Sequence, residues 1–219
     1  MEFKRIFEGV YLIENKIATE NLVEGKNVYG EKLIKHGGRE YRLWDPFHSK
    51  LSAAIKMGLG TFPLKKDSKV LYLGAATGTT TSHISDIVRE GVVFCVEFSP
   101  RSMKELLKVC ETRKNMVPIL EDARKPENYD FIGKVDVLYE DLSQSDQVRI
   151  LILNAEKYLK KEGYALFAIK SQCIDVIKEP EQVYEEALRE AGKKFEIMET
   201  YILDPFEKEH MFAVMKFRG

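Results

Sequence analysis

At 219 residues the chain has room for one α/β domain with a small appendage, and for a core that needs no disulfide or metal staples. Its 34 Lys and Arg against 35 Asp and Glu, a net charge of −1, exclude a global basic field that would draw in nucleic acid, and the first 50 residues are equally balanced, nine against eight. Three cysteines without C-x-x-C spacing (Cys95, Cys110, Cys173) exclude a disulfide framework, MEFKRIFEG is no secretory signal, and no apolar run approaches the roughly 18 residues of a membrane span, so a cytoplasmic protein is expected.

In chain order, residues 1–35 alternate apolar and polar positions between Gly9, Glu14-Asn15, Gly25-Lys26-Asn27 and Gly30, which predicts three or four short antiparallel strands. Arg39–Trp44 reads as extended and Asp45-Pro46 breaks it. Ser49 is positioned to cap a helix carrying Leu51, Ala54, Ile55 and Met57, and Gly58, Gly60 and Pro63 mark a boundary. Two units are therefore expected: a small β-rich domain with its linking helix over 1–58, and a main domain over 59–219.

From Lys69 onward strand and helix patterns alternate. Apolar runs at 70–73, 92–96, 116–120, 135–139 and 164–169 are separated by helical patterns, one of which runs from Val148 through Leu159 to Gly163 and another from Pro180 to Gly192. This alternation predicts a Rossmann-like α/β fold, a mostly parallel sheet with helices on both faces. The last two extended runs, Phe195–Leu203 and Met211–Phe217, have no helix between them and should form an antiparallel hairpin at the sheet edge.

In such a sheet the ligand lies beyond the carboxyl ends of the strands. Those ends carry Gly74-Ala75-Ala76-Thr77-Gly78, Glu97, Asp122, Glu140-Asp141 and Lys170. The G-x-x-x-G turn, followed by Thr79, Thr80 and Thr81 opening a helix, forms a nucleotide-binding corner. Glu97, 23 residues beyond Gly74, can accept hydrogen bonds from both hydroxyls of a ribose, and Asp122 from an adenine amino group or, alternatively, from a helix N-terminus. The loose glycine spacing suits S-adenosyl-L-methionine, which has no pyrophosphate, better than NAD, and the reversed final hairpin points the same way. His36, His48 and His83 lack metal-ligand spacing, and no metal is expected.

The segments YLGAATGTTTSHISDIV, CVEFSPRSMKEL, ILEDARKP, VDVLYEDLSQSDQ, AIKSQCIDV, YRLWDPFHSKLSAAI and DPFEKEHMFAV closely resemble fibrillarin, in its archaeal form, over nearly the whole chain. The chain departs from the family pattern at Pro100, Glu140, Ser143 and Ser145. The resemblance implies a seven-stranded methyltransferase sheet and S-adenosylmethionine-dependent 2′-O-methylation of rRNA, and of tRNA in archaea, within a box C/D guide-RNA particle. Its implied partners are a Nop-family scaffold, a kink-turn-binding subunit, the guide RNA and the target RNA. It implies a catalytic constellation of Lys50, Asp141 and Lys170 with His210 or the neighbouring Glu209 as fourth member, and cofactor contacts that extend to Phe98, Ala123 and Gln144.

A ribose hydroxyl must lose its proton to attack a methyl group. A lysine, ordinarily near ~10.4, becomes a base when desolvation or another cation lowers it. Lys170 is the expected base, Lys50 the group that steers the hydroxyl or its phosphate, and Asp141 the carboxylate that orients both. Arg42, Trp44 and Arg101 are weaker candidates for RNA contact through phosphate pairing and stacking, with Trp44 equally an interdomain core residue. A stand-alone methyltransferase acting on free tRNA or a small molecule, and a non-enzymatic particle scaffold, are the rival readings.

Overall fold

The computed structural model describes residues 2–219. The N-terminal part is a five-stranded antiparallel sheet, β1 (Phe3–Phe7), β2 (Val10–Ile13), β3 (Lys16–Glu20), β4 (Leu33–His36) and β5 (Arg39–Leu43), in the order β1-β2-β3-β5-β4. Helix α1 (Lys50–Lys56) follows, and the 57–68 segment leads into the main sheet. Ser49 stands at the N-cap of α1, yet its side chain caps nothing: its Oγ instead accepts from Thr80 Oγ1 at 3.0 Å.

The main sheet has seven strands in the order β11-β12-β10-β9-β6-β7-β8: β6 (Lys69–Leu73), β7 (Val92–Glu97), β8 (Met116–Leu120), β9 (Val135–Glu140), β10 (Leu159–Lys170), β11 (Phe195–Ile202) and β12 (His210–Phe217). Strands β6 to β10 are parallel, β12 runs antiparallel to β10, and β11 pairs antiparallel with β12. Central strands are apolar on both faces because both are covered. On β6, Val70 and Tyr72 enter one core with Ile84 and Ile87 of α2 (Thr79–Ile87) and Met103 and Leu106 of α3 (Pro100–Thr112). Leu71 and Leu73 enter the other, with Ile150 and Leu151 of α4 (Gln147–Tyr158). A single turn, α5 (Ser171–Ile174), and then α6 (Pro180–Ala191) follow β10; Tyr184 and Ala187 of α6 join this second core.

One boundary differs from the sequence pattern. The α4 helix stops at Tyr158, and Leu159 already pairs with Val135 as the first residue of β10. The register then shifts between Leu159 and Tyr164, a bulge containing Glu162 at φ 64°. Apolar spacing alone could not place that break, because Leu159 is buried in either conformation.

The N-terminal sheet shares the first core through Val10 and Ile17, and a buried polar clamp joins it to α2. Asp86 Oδ2 accepts from Thr19 Oγ1 at 2.7 Å and Arg42 Nη1 at 2.8 Å, while Oδ1 accepts from Arg113 Nη1 at 2.6 Å and the Leu22 N–H at 2.8 Å. Arg42 also donates from Nε to Glu31 at 2.5 Å and from Nη2 to Ser82 Oγ at 2.9 Å. Trp44 stacks on His83 with ring centroids 4.8 Å apart. Arg42, a weaker candidate for RNA contact, and Trp44, weighed equally as RNA contact and interdomain core residue, are both interior: Arg42 is 0 % and Trp44 1 % exposed, and each guanidinium nitrogen of Arg42 donates to a protein partner. Arg101 remains exposed on the first turn of α3.

Candidate active site

The carboxyl ends of β6, β7, β9 and β10 converge on a cavity of about 370 Å³. Its first wall is the turn after β6, where the backbone must reverse at once. Gly74 has φ 84°, and a Cβ there would lie 2.5 Å from the Asp141 carbonyl oxygen, so only glycine lets the ends of β6 and β9 come together. Ala76, next along, also has a positive φ of 48° and is held by its N–H donating to Glu97 Oε2 at 2.8 Å. Glu97 accepts a second backbone N–H, that of Ser99, on Oε1 at 2.7 Å. Two fixed hydrogen bonds orient this carboxylate at the end of β7 and leave each oxygen further acceptor capacity.

Of the cofactor residues expected from sequence, Gly74, Ala76, Glu97, Phe98, Ala123, Asp141 and Gln144 line this cavity. Ala75, Gly78 and Thr80 do not; they are buried as the support of the turn, Thr80 donating to Ser49. Thr77 and Thr79 face an adjoining groove with Lys108 and Arg113 instead. Asp122 is off the lining, its Oδ1 accepting from the N–H of Arg124 at 2.9 Å, while its neighbours Glu121 and Ala123 are on it. Ser102, Glu121 and Leu142 line the cavity without having been singled out. Glu121 and Leu142 had only adjacency to predicted strand ends as a signal, and Ser102, on the first turn of α3, had none.

The far end of the cavity holds three ionisable groups from three elements. Lys50 on the first turn of α1 donates to Asp141 Oδ2 at 3.3 Å, and Lys170 at the end of β10 lies 2.8 Å from Asp141 Oδ1. Lys170 Nζ also donates to Ser143 Oγ at 3.0 Å and to the Asp141 carbonyl at 3.4 Å. Burial alone would push the Asp141 carboxyl up, but the two ammonium groups outweigh it and hold it below the usual carboxylate range. The site thus keeps a carboxylate ionised between two cations.

His210 pairs in register with Lys170 across β10 and β12. Its Nδ1–H donates to the Lys208 carbonyl at 2.6 Å, which leaves Nε2 as the acceptor nitrogen. Burial lowers its pKa from the ordinary 6.5, with Lys50 and Lys170 lowering it further and the Lys208 carbonyl and Glu207 opposing, so the ring is neutral at physiological pH. The Glu209 side chain is exposed, and its carbonyl accepts from the Ser171 N–H at 3.2 Å. A carboxylate not anticipated from the sequence, Glu207, stands 3.8 Å from Lys50 Nζ. Under the site lies a further one: Glu140 is fully buried with neither oxygen hydrogen-bonded, and burial, then the nearby Asp146 and Asp141, push it well above the usual carboxylate range against the pull of Lys170.

These groups fit a nucleoside that carries a cationic centre. Glu97 supplies acceptors for ribose hydroxyls, Phe98 and Ala123 present apolar surface to a base, and Asp141 supplies negative charge at the far end. Together with the doubly wound sheet and its reversed hairpin, they define the Rossmann-like fold of the S-adenosylmethionine-dependent methyltransferases. The Fibrillarin family model matches residues 1–219, and the chain belongs to that family. A relative from Pyrococcus abyssi, a fibrillarin-like rRNA/tRNA 2′-O-methyltransferase, is 53 % identical over 220 residues, which cover 97 % of each chain. Among solved structures, Aeropyrum pernix fibrillarin with natively bound S-adenosyl-L-methionine superposes with a TM-score of 0.90 at 42 % identity, covering 98 % of both chains. The fibrillarin of a fibrillarin/Nop5p complex superposes with a TM-score of 0.91 at 39 % identity, covering 99 % of this chain and 100 % of that one.

Proposed function

We propose that this chain methylates ribose 2′-hydroxyls of rRNA and tRNA as the catalytic subunit of a box C/D guide-RNA particle. The observation that carries the reading is the Lys50–Asp141–Lys170 cluster at one end of a nucleoside-sized cavity whose other wall ends in Glu97. Residues 59–219 hold the reaction, and residues 1–58, apart from Lys50, brace it. Bound in the cavity, S-adenosyl-L-methionine supplies an electrophilic sulfonium methyl.

The rest of the chemistry belongs to the chain. Lys170 is the base: once its ammonium has released a proton to solvent, Nζ takes the proton of the 2′-hydroxyl as that oxygen attacks. Asp141 holds both lysines, fixing the direction of the Lys170 lone pair, and Lys50 steers the hydroxyl or its phosphate. His210, neutral and beside Lys170 on the neighbouring strand, is the fourth member. Alignment of the two reacting atoms supplies much of the acceleration, since a well-oriented pair gains about 7–11 kcal/mol over free encounter. The solved fibrillarin/Nop5p complex supports a Nop-family scaffold as partner. A kink-turn-binding subunit and the guide RNA complete the particle, and the archaeal relatives support a cytoplasmic setting.

The test is transfer of labelled methyl from S-adenosyl-L-methionine to a target RNA, with and without the assembled particle. Lys170→Ala should keep cofactor affinity and lose single-turnover methylation by roughly 10²-fold or more. Full rate in that variant overturns the base assignment.

A further inference from the structure

A second cavity, a groove of about 620 Å³, lies between the N-terminal sheet and the segment that leads into α1. Two of its walls continue directly into the lysine site. Phe47 and His48 precede Ser49-Lys50, and Phe206 precedes Glu207, whose carboxylate stands 3.8 Å from Lys50 Nζ. Phe47 is 57 % exposed although it is a large apolar side chain, and its ring meets Phe206 edge-on at 5.1 Å.

The rim of the groove is cationic. Lys16, Lys32 and Lys56 are exposed and, among the described residues, none has a carboxylate within ion-pair distance. Lys56 reaches only the Asn15 carbonyl, at 3.0 Å. The lining also holds two carboxylates, a buried one paired with Arg42 and an exposed one, Asp45. Glu31 is buried and accepts from Arg42 Nε and from the N–H groups of Val28 and Tyr29, and Asp45 accepts the N–H of Phe47 at 2.9 Å. Three exposed ammonium groups without a carboxylate partner, on a lining that also carries an exposed aromatic ring, outnumber the one exposed carboxylate and are complementary to a polyanion with stackable bases, whereas a protein segment would have to bring its own carboxylates in register with all three.

We propose that this groove receives the substrate RNA on one side of the methylated nucleotide: Lys16, Lys32 and Lys56 pair with its phosphates, and Phe47 packs against the nucleotide next to the target. This rests on the reading of the lysine site as a ribose methyltransferase, because continuity with that site fixes which stretch of RNA arrives. The groove then sets the approach of the target ribose to Lys50 and Lys170.

Two measurements on the assembled particle separate this from the reaction itself. In the first, a target RNA carrying photoreactive 4-thiouridine beside the target nucleotide should crosslink to the 44–48 segment. That readout needs no methyl transfer, so a groove crosslink without methylation would support the groove and sink the proposed function. Methylation without a groove crosslink does the reverse. In the second, the triple variant Lys16→Gln, Lys32→Gln, Lys56→Gln and the separate Phe47→Ala should raise KM for target RNA about tenfold or more, with kcat, thermal midpoint and cofactor affinity as in the parent. The lysine variant should also flatten the salt dependence of binding by about 0.7–0.9 per lost phosphate contact. An unchanged KM and salt slope overturns the proposal, as does a loss confined to scaffold affinity, which would make the groove a protein-docking surface.

Discussion

Removing the Asp86 carboxylate tests the reassignment of Arg42 from RNA contact to structural clamp. In Asp86→Ala, Arg113 would keep only neutral acceptors, the Ser82 carbonyl, Ser85 Oγ and Asn21 Oδ1, and Arg42 would keep Glu31 and Ser82. Thr19 and the Leu22 N–H would lose their acceptor as well. Breaking a buried ion pair from one side costs about 3–5 kcal/mol, because the remaining charge has no water to turn to. At about 2–4 °C per kcal/mol for a chain of this size, the thermal midpoint should fall by roughly 6–20 °C. Calorimetry and urea unfolding measure it, and binding of target RNA by the folded fraction is followed in parallel. Arg42→Met should fall comparably, since it strands Glu31. A protein that melts within about 2 °C of the parent while losing RNA affinity would refute the clamp and restore Arg42 as an RNA contact.

Three further outcomes follow from the same geometry. Gly74→Ala should destabilise by about 1–3 kcal/mol and suppress methylation, since its Cβ, 2.5 Å from the Asp141 carbonyl, must displace the residue that holds both lysines; a fully active, equally stable variant would contradict this. Glu140→Gln should raise the unfolding midpoint at neutral pH, because folding holds the buried carboxyl protonated and so loses stability as pH rises above the ordinary carboxylate range; the advantage over the parent should vanish once pH falls below that range, and midpoints that differ equally at all pH values would rule the argument out. The isolated chain should methylate target RNA slowly even where it binds cofactor, and site-specific turnover without guide or scaffold at the particle's rate would show otherwise.

Much of the fold and part of the site are legible in the sequence, and the division has a physical basis. Strand ends can be read because a buried parallel strand is a short apolar run that must stop where the ligand edge begins; Leu73-Gly74, Val96-Glu97 and Ile169-Lys170 announce themselves in this way. Side-chain direction cannot be read so. Thr77, Thr79 and Thr80 sit in one motif, yet Thr80 turns into the protein support while Thr79 and, ahead of the helix, Thr77 face a separate groove. Arg42 looks from sequence like any arginine near an aromatic residue, and only the packing of α2 against β5 reveals Asp86 as its partner. Glu207 was hidden in the loop between two strands, and its proximity to Lys50 depends on how the final hairpin folds back.

The balanced net charge and a phosphate-binding groove are compatible because they act over different distances. At about 0.15 M salt the Debye length is about 8 Å, so charges elsewhere on the surface neither reinforce nor cancel three ammonium groups in contact with phosphates. What a net charge of −1 removes is long-range steering, the field that would concentrate RNA around the free protein. Contacts made after arrival survive. Inside the site the balance is again local, with Asp141 and Glu207 set against Lys50 and Lys170. A chain built in this way holds RNA that is delivered to it but recruits little on its own, which is the electrostatic design expected of a subunit whose target is selected by a bound guide.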